Sequence, residues 1–187
     1  MSVDSTDLLN RRHLREDIKD EFFISEYPAA GDEMSFDDVV VYKPSPSRSS
    51  LLSNAAATAD KPPRKLAVVT YGNGVAAALV TMERLCSSGI DVTVIDCPYL
   101  SAPPQQLKDL LCKGDSQKPF DCVLFADVCK QGAGMPFGGI AITLQNEGYL
   151  NIKWKVIGAS PTYNPLGRIL TFLSSDDIYR AALDLVR

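Results

Sequence analysis

The stretch from Lys65 to Ile95, KLAVVTYGNGVAAALVTMERLCSSGIDVTVI, limits what this chain can fold into more than any other. Leu66–Thr70 is a short, Val-rich apolar run bounded by a turn, which predicts a strand buried on both faces. Gly72-Asn73-Gly74 supplies the turn. Val75, Ala78, Leu79, Met82 and Leu85 then recur at helical spacing, which predicts an amphipathic helix to about Cys86. Ser87-Ser88-Gly89 ends that helix, with Gly89 suited to the left-handed position after a C-cap. Val92–Ile95 is a second buried strand. Strand, helix and strand within one such span make a βαβ unit, which commits the chain to at least one parallel strand pair.

The rest of the second half repeats the pattern. Pro103-Pro104 opens a second helix holding Leu107, Leu110 and Leu111, which stops near Gly114. Cys122–Phe125 reads as the third strand. Gln131 to Gly139 reads as a Gly-rich loop feeding a helix through Ile140, Ile142, Leu144 and Gln145. Lys153–Ile157 is the fourth strand, and Gly158–Pro161 turns the chain. Asn164-Pro165 leads through Leu166–Leu173 into a short irregular or helical connection. Ser174 or Ser175 caps a last helix, with Asp176 and Asp177 in its first turn, where the macrodipole favours negative charge. Ile178, Ala181, Ala182, Leu185 and Val186 form its apolar face. This alternation predicts an α/β fold of three layers: a mostly parallel sheet with helices on both faces. Ligands of such sheets sit beyond the carboxyl ends of the strands, here Tyr71–Gly74, Asp96–Tyr99, Ala126–Gly134 and Gly158–Pro161.

The first third is different in kind. Of the 187 residues, 1–43 read as an extended or partly helical arm, 44–64 as a flexible linker, and 65–187 as the α/β domain. Leu14, Ile18 and Phe22 share one helical face within Leu8–Ile24, which predicts a short helix. The linker is rich in Ser, Ala and Pro and has no sustained period, which predicts disorder. Phe22, Phe23, Ile24, Tyr27, Phe36 and Val39–Val41 are too apolar for a wholly disordered tail. They either pack on the following domain or meet a partner. Val39–Tyr42 in particular is strand-like or a docking segment.

Charge and composition exclude several classes of function. The net charge is −4. Residues 1–64 hold 12 acidic and 8 basic side chains, and residues 65–187 hold 11 of each, so the acidity belongs to the arm. A neutral folded part without a basic patch argues against nucleic acid as a partner. No apolar run approaches the roughly 20 residues of a membrane span. Cys86, Cys97, Cys112, Cys122 and Cys129 form no CxxC pair and sit in apolar runs or at element ends, as buried reduced thiols do. With one histidine, His13, most zinc patterns are excluded. The N-terminus shows neither a secretory signal nor an Arg-rich transit peptide, so either the protein is cytoplasmic or the start shown is not the biological one; the expected locations are the cytoplasm and, in the second case, the mitochondrial matrix.

Few residues carry chemistry. Gly72, Asn73 and Gly74 follow a strand and open a helix at G-x-G spacing. Ala77 stands at the third glycine position of a dinucleotide fingerprint, and Asp96 lies about 20 residues on. The junction is therefore a weak candidate cofactor cradle, or simply a generic strand–turn–helix joint. Gly132–Gly139 is either an anion cradle at a helix N-terminus or a close-packed turn; it lacks the G-K-[ST] ending of a P-loop. Asp96, Asp121 and Asp127 near strand ends are either a carboxylate cluster for acid–base work or turn and cap residues. No nucleophile–base pair is visible, and no catalytic or metal-binding residue is assigned.

One resemblance runs through the whole second half. Val68-Val69-Thr70-Tyr71-Gly72, then Gly89-Ile90-Asp91-Val92-Thr93-Val94-Ile95-Asp96, then Leu100–Leu111 resemble the carboxy-terminal domain of the transketolase family of thiamine-diphosphate enzymes. Phe120–Phe125 resembles the strand before that family's acidic, Gly-rich loop, with the acid pair reduced to Asp127 and the glycines rearranged. Val156-Ile157-Gly158 and Phe172–Ile178 resemble the last strand end and the start of the last helix. The closest likeness is to the beta subunit of the decarboxylating component of 2-oxo acid dehydrogenase complexes, pyruvate or branched-chain.

The resemblance implies dimer contacts, a share in closing a cofactor site, and a docking surface. The implied partners are an alpha subunit or a second beta subunit and the acyltransferase core. Thiamine diphosphate and magnesium would be bound in the parent enzyme and not by this chain alone, because the G-D-G motif and the pyrimidine-binding domain are absent. The implied function is an assembly domain that contributes to oxidative decarboxylation without being catalytic by itself. The alternatives are a stand-alone interaction module of the same fold and a small nucleotide-binding enzyme using the Gly72–Gly74 turn.

Overall fold

The computed structural model describes residues 29–31, 33–44, 62–111, 119–132, 134–162 and 172–187. The chain divides into two units, Met1–Ser35 and Phe36–Arg187. In the first, the described residues are exposed and turn at Ala30-Gly31. The predicted helix within Leu8–Ile24, most of the linker and the 164–171 connection lie outside the described residues.

The second unit is built on five strands: β1 (Val40–Tyr42), β2 (Lys65–Thr70), β3 (Asp91–Asp96), β4 (Cys122–Lys130) and β5 (Lys153–Ala159). Their order across the sheet is β1-β3-β2-β4-β5. β2 pairs parallel with both β3 and β4, β4 pairs parallel with β5, and β1 alone runs antiparallel, on the outer edge of β3. Val40–Tyr42, which the sequence places in the arm, is thus an edge strand of this sheet. Residues 36–42 return to the domain because Val39 is apolar enough to bury, at 6% exposure.

Four helices cover the faces: α1 (Asn73–Ser87), α2 (Gln105–Leu111), α3 (Pro136–Asn146) and α4 (Ser175–Val186). Strand residues alternate between faces. Ala67, Val69, Ile95, Val123 and Phe125 share a core with Leu107 and Leu111 of α2 and Phe137, Ile140, Ala141 and Leu144 of α3. The alternate residues, Leu66, Val68, Val92, Val94 and Leu124, are as deeply buried on the face of α1 and α4. A fully buried side chain of this kind contributes about 1.5–3 kcal/mol. Both sheet faces are therefore apolar, which explains why the central strands read as continuous hydrophobic runs rather than alternating ones.

Local signals set the helix ends. Gly89 adopts φ +79°, and Gly89 N–H and Ile90 N–H donate to the carbonyls of Cys86 and Leu85, closing α1. Ser174 caps α4 in a full capping box with Asp177, each side chain serving the other's backbone. α3 begins earlier than expected, at Pro136 rather than near Ile140. Proline is preset for the first helical position, so Gly138 and Gly139 fall inside the helix.

Cross-links between helices lie on the surface. Arg84 pairs with Asp176 at 2.6 Å and lies over the Tyr179 ring, joining α1 to α4. Lys108 pairs with Glu147 at 2.6 Å and lies near the Tyr149 ring, joining α2 to the end of α3. Among the described residues no helix is long and apolar enough to cross a membrane.

Candidate functional site

Parallel strands place their carboxyl ends on one edge of the sheet, and the candidate residues other than Asp121 are found there. Tyr71–Gly74 follows β2, Asp96–Tyr99 follows β3, and Gly132–Met135 follows β4. Asp121 is the exception. It sits just before β4 at the opposite edge, where its carboxylate accepts from Lys65 N–H at 2.7 Å.

The three aspartates therefore do not form a cluster. Asp121 caps the amino end of β2. Asp127 lies on the face of α2 and α3, and Asp96 lies on the other face. Among the described residues no three of His, Cys, Asp and Glu come together as a group that could hold a metal ion. This donor set does not fit a magnesium–diphosphate group, and no chemical step through thiamine diphosphate is derived for this chain.

Asp127 organises the Gly-rich loop. Its side chain is fully buried and accepts three hydrogen bonds: from Tyr71 Oη at 2.7 Å, Cys129 N–H at 2.9 Å and Phe137 N–H at 3.0 Å. Phe137 is the second residue of α3, so the carboxylate occupies the helix N-terminus that the sequence offered as an anion cradle. The anion at that cradle is the protein's own. Burial, and then the bond to Asp127, push the Tyr71 hydroxyl far above its ordinary value, so it stays a donor. The Tyr71 ring meets Phe137 edge-on, with centroids 5.2 Å apart.

The Gly-rich loop is pinned from the other side by β5. β4 carries a register shift between Ala126 and Lys130, and Gln131 N–H donates to Ala159 O at 2.8 Å. A Cβ at Gly158 would stand 2.7 Å from Met135 Sδ and 2.8 Å from Cys129 O, so only glycine lets the strands close here. The irregularity turns Cys129 outward. It is exposed, whereas Cys86, Cys97 and Cys122 are buried as expected; Cys112 lies outside the described residues. Tyr71 Oη approaches Cys129 Sγ to 3.4 Å.

Gly72 and Gly74 each have a reason inside the fold. Gly72 adopts φ +52°. A Cβ at Gly74 would stand 2.1 Å from Thr70 Oγ1, so glycine is needed for α1 to leave β2 this closely. Thr70 Oγ1 is in turn committed to Ala126 O at 2.8 Å. Asn73 Oδ1 is buried without a hydrogen-bond partner.

Asp96 ends β3 beside these residues, paired in register with Thr70 and Val40. Its Oδ1 is buried and has no hydrogen-bond partner. Burial pushes its pKa up to about 6. Burial and then the neighbouring Asp96 push the Cys97 thiol up to about 12, and the same two causes raise Tyr42.

Neither family models nor curated proteins give a match. Solved structures do. A split-gene transketolase, solved as an inactive beta4 tetramer, superposes with a TM-score of 0.59 at 19% identity, over 88% of this chain and 48% of that one. The domain has a transketolase-type fold. A 2-oxoglutarate:ferredoxin oxidoreductase from Magnetococcus marinus, with 2-oxoglutarate, coenzyme A and succinyl-CoA bound, matches with a TM-score of 0.47 at 13% identity, over 80% of this chain and 20% of that one. The chain thus spans about half the length of the transketolase it resembles.

Of the two readings that the sequence allows for Asp127, acid–base work or a turn and cap residue, the geometry matches the second; its role in holding the Gly-rich loop was missed. The available signal was a lone acid at the end of an apolar strand, nine residues before a Pro-led helix start.

Proposed function

We propose that this chain is a carboxy-terminal assembly domain of, or a fragment related to, the beta subunit of a thiamine-diphosphate-dependent 2-oxo acid dehydrogenase. Its contribution to oxidative decarboxylation comes through protein partners: an alpha subunit, a second beta subunit and the acyltransferase core. The cofactor and magnesium belong to domains that complete the enzyme.

The observation that carries this reading is the extent of the fold match. The match covers 88% of this chain but only 48% of the transketolase. Within the sheet, the one carboxylate buried among donors is spent on holding the Gly-rich loop and the start of α3. That arrangement commits Asp127 to structure rather than to acid–base work.

Size-exclusion chromatography of the purified chain, with and without a dehydrogenase alpha subunit, tests it. A shift to a larger co-eluting species is expected. A chain that stays monomeric and ignores every such subunit overturns the reading. A decarboxylase assay with thiamine diphosphate on the chain alone is expected to be blank. Titration with NAD(H) and NADP(H) separates the nucleotide alternative, since micromolar binding would require the Gly72–Gly74 turn to be a site.

A further inference from the structure

The edge strand β1 is held by a short pairing with β3 and by an anchor in the residues just before it, where Phe36 meets the Tyr99 ring at 5.1 Å and Asp37 Oδ1 accepts from Gln105 N–H at 3.4 Å. Val39 is buried, its N–H donates to Gln106 Oε1 at 2.6 Å, and Gln106 N–H returns a bond to Asp37 O at 3.0 Å. Beyond that anchor, three residues pair with the end of β3: Val40 with Asp96, Val41 with Ile95, Tyr42 with Val94. Directly opposed residues in an antiparallel pair share a face. Val41 accordingly joins the core containing Ile95, while Val40 and Tyr42 lie with Asp96 on the face of α1.

Among the described residues, that face brings no cationic side chain to compensate a carboxylate. The elements packed against Asp96 are β1, β2 and α1. Tyr42 is the titratable group on β1, with a hydroxyl raised by burial and by Asp96 itself, so it stays neutral. Cys97 follows the end of β3, joins the core on the other face and, with its thiol raised by burial, also stays neutral. Lys43 follows Tyr42 at the exposed end of the strand. β2 presents Thr70, whose hydroxyl is committed to Ala126 O; its one charged residue, Lys65, is at the far end opposite Asp91. α1 carries no ionisable residue before Glu83. Burying an ionised carboxylate without a partner is costly, and a neutral carboxyl is far cheaper to cover.

We propose that β1 is a proton-linked strap, which lies against β3 when the Asp96 carboxyl is neutral and lifts when that carboxyl ionises. Lifting rehydrates the charge and bares the outer backbone groups of β3. Lifting also withdraws Val41 from the core on the other face, while the Asp127 network stays in place.

Amide hydrogen exchange on the full chain tests this. After correction for the intrinsic pH dependence of exchange, protection of the β1 amides is expected to fall about tenfold between about pH 5 and pH 8. In Asp96→Asn the protection is expected to be flat over the same range. Wild-type protection that does not change, or an equal fall in Asp96→Asn, overturns the proposal. A second measurement needs no variant: the carbon-13 shift of the wild-type Asp96 carboxyl followed by NMR. A midpoint well above the ordinary carboxylate range is expected, and a midpoint inside that range overturns the strap.

Discussion

Two aspartates at the same edge of one sheet meet opposite fates. Asp127 is wholly buried, and its two oxygens receive three donors, from the turn after β2, the irregular end of β4 and a helix start. Asp96 is also largely buried, and one of its oxygens receives none. The difference follows from what flanks each strand end, since β3 and β4 each lie between β2 and an edge strand. The end of β4 is met by the Tyr71 hydroxyl, by its own irregular backbone at Cys129 and by the start of α3. The end of β3 is met by a short antiparallel strand. A buried charge is stabilised by what the neighbouring backbone has left unpaired, and among the described residues the end of β4 has the fuller set of such neighbours.

Removing Asp127 is the strongest way to break the comparison. Asp127→Ala leaves two buried backbone donors and the Tyr71 hydroxyl unpaired, and a loss of about 3–5 kcal/mol is expected in urea unfolding. A loss below about 1 kcal/mol would mean that the network does not hold the loop.

The opposite sign is expected at the other aspartate. In the folded chain Asp96 keeps a proton that an unfolded chain releases near 3.8 and that the fold releases near 6. Stability is therefore greatest below the ordinary carboxylate range, falls as pH rises from about 4 to about 6, and is level above. Asp96→Asn removes that fall. At neutral pH the variant is expected to be more stable by about 2 kcal/mol, the full shift being discounted for the exposed share of the side chain. Parallel pH–stability curves for the two proteins would end the contrast.

Two exposed acids complete the series. Asp177 takes part in the capping box of α4, and Ser174→Ala is expected to cost about 1 kcal/mol, seen as a small downward shift in the unfolding midpoint. Asp176, held below the ordinary carboxylate range by its hydrogen bond to Arg84, is expected to matter least. Asp176→Asn should give a small change at low salt that disappears at high salt.

The elements that the sequence displays best are those specified within a few residues. The period of Val75, Ala78, Leu79, Met82 and Leu85 marks α1, Gly89 marks its end, and Ser174 with Asp177 marks the start of α4. The transketolase-like order of pieces is legible for the same reason, because each piece is a local run. α3 was placed late, since Gly138 and Gly139 suggest a loop when read without the effect of Pro136. The acids were the hardest to read. Asp96, Asp121 and Asp127 all follow or precede an apolar run, and only Asp127 has a nearby hint of its donors, the Pro-led helix start nine residues on.

By itself, the sequence determined the alternation of strands and helices, the apolar character of both sheet faces and the turn positions at the Lys65–Ile95 unit, because propensity, period and capping act over one or two turns of chain. The tertiary structure alone decided the rest. It brought Val40–Tyr42 back as an edge strand, put Asp121 at the opposite edge from its two counterparts, gave Asp127 its three donors and left Asp96 without one for Oδ1. These outcomes depend on which strands become neighbours, and that is set by the packing of residues more than fifty positions apart.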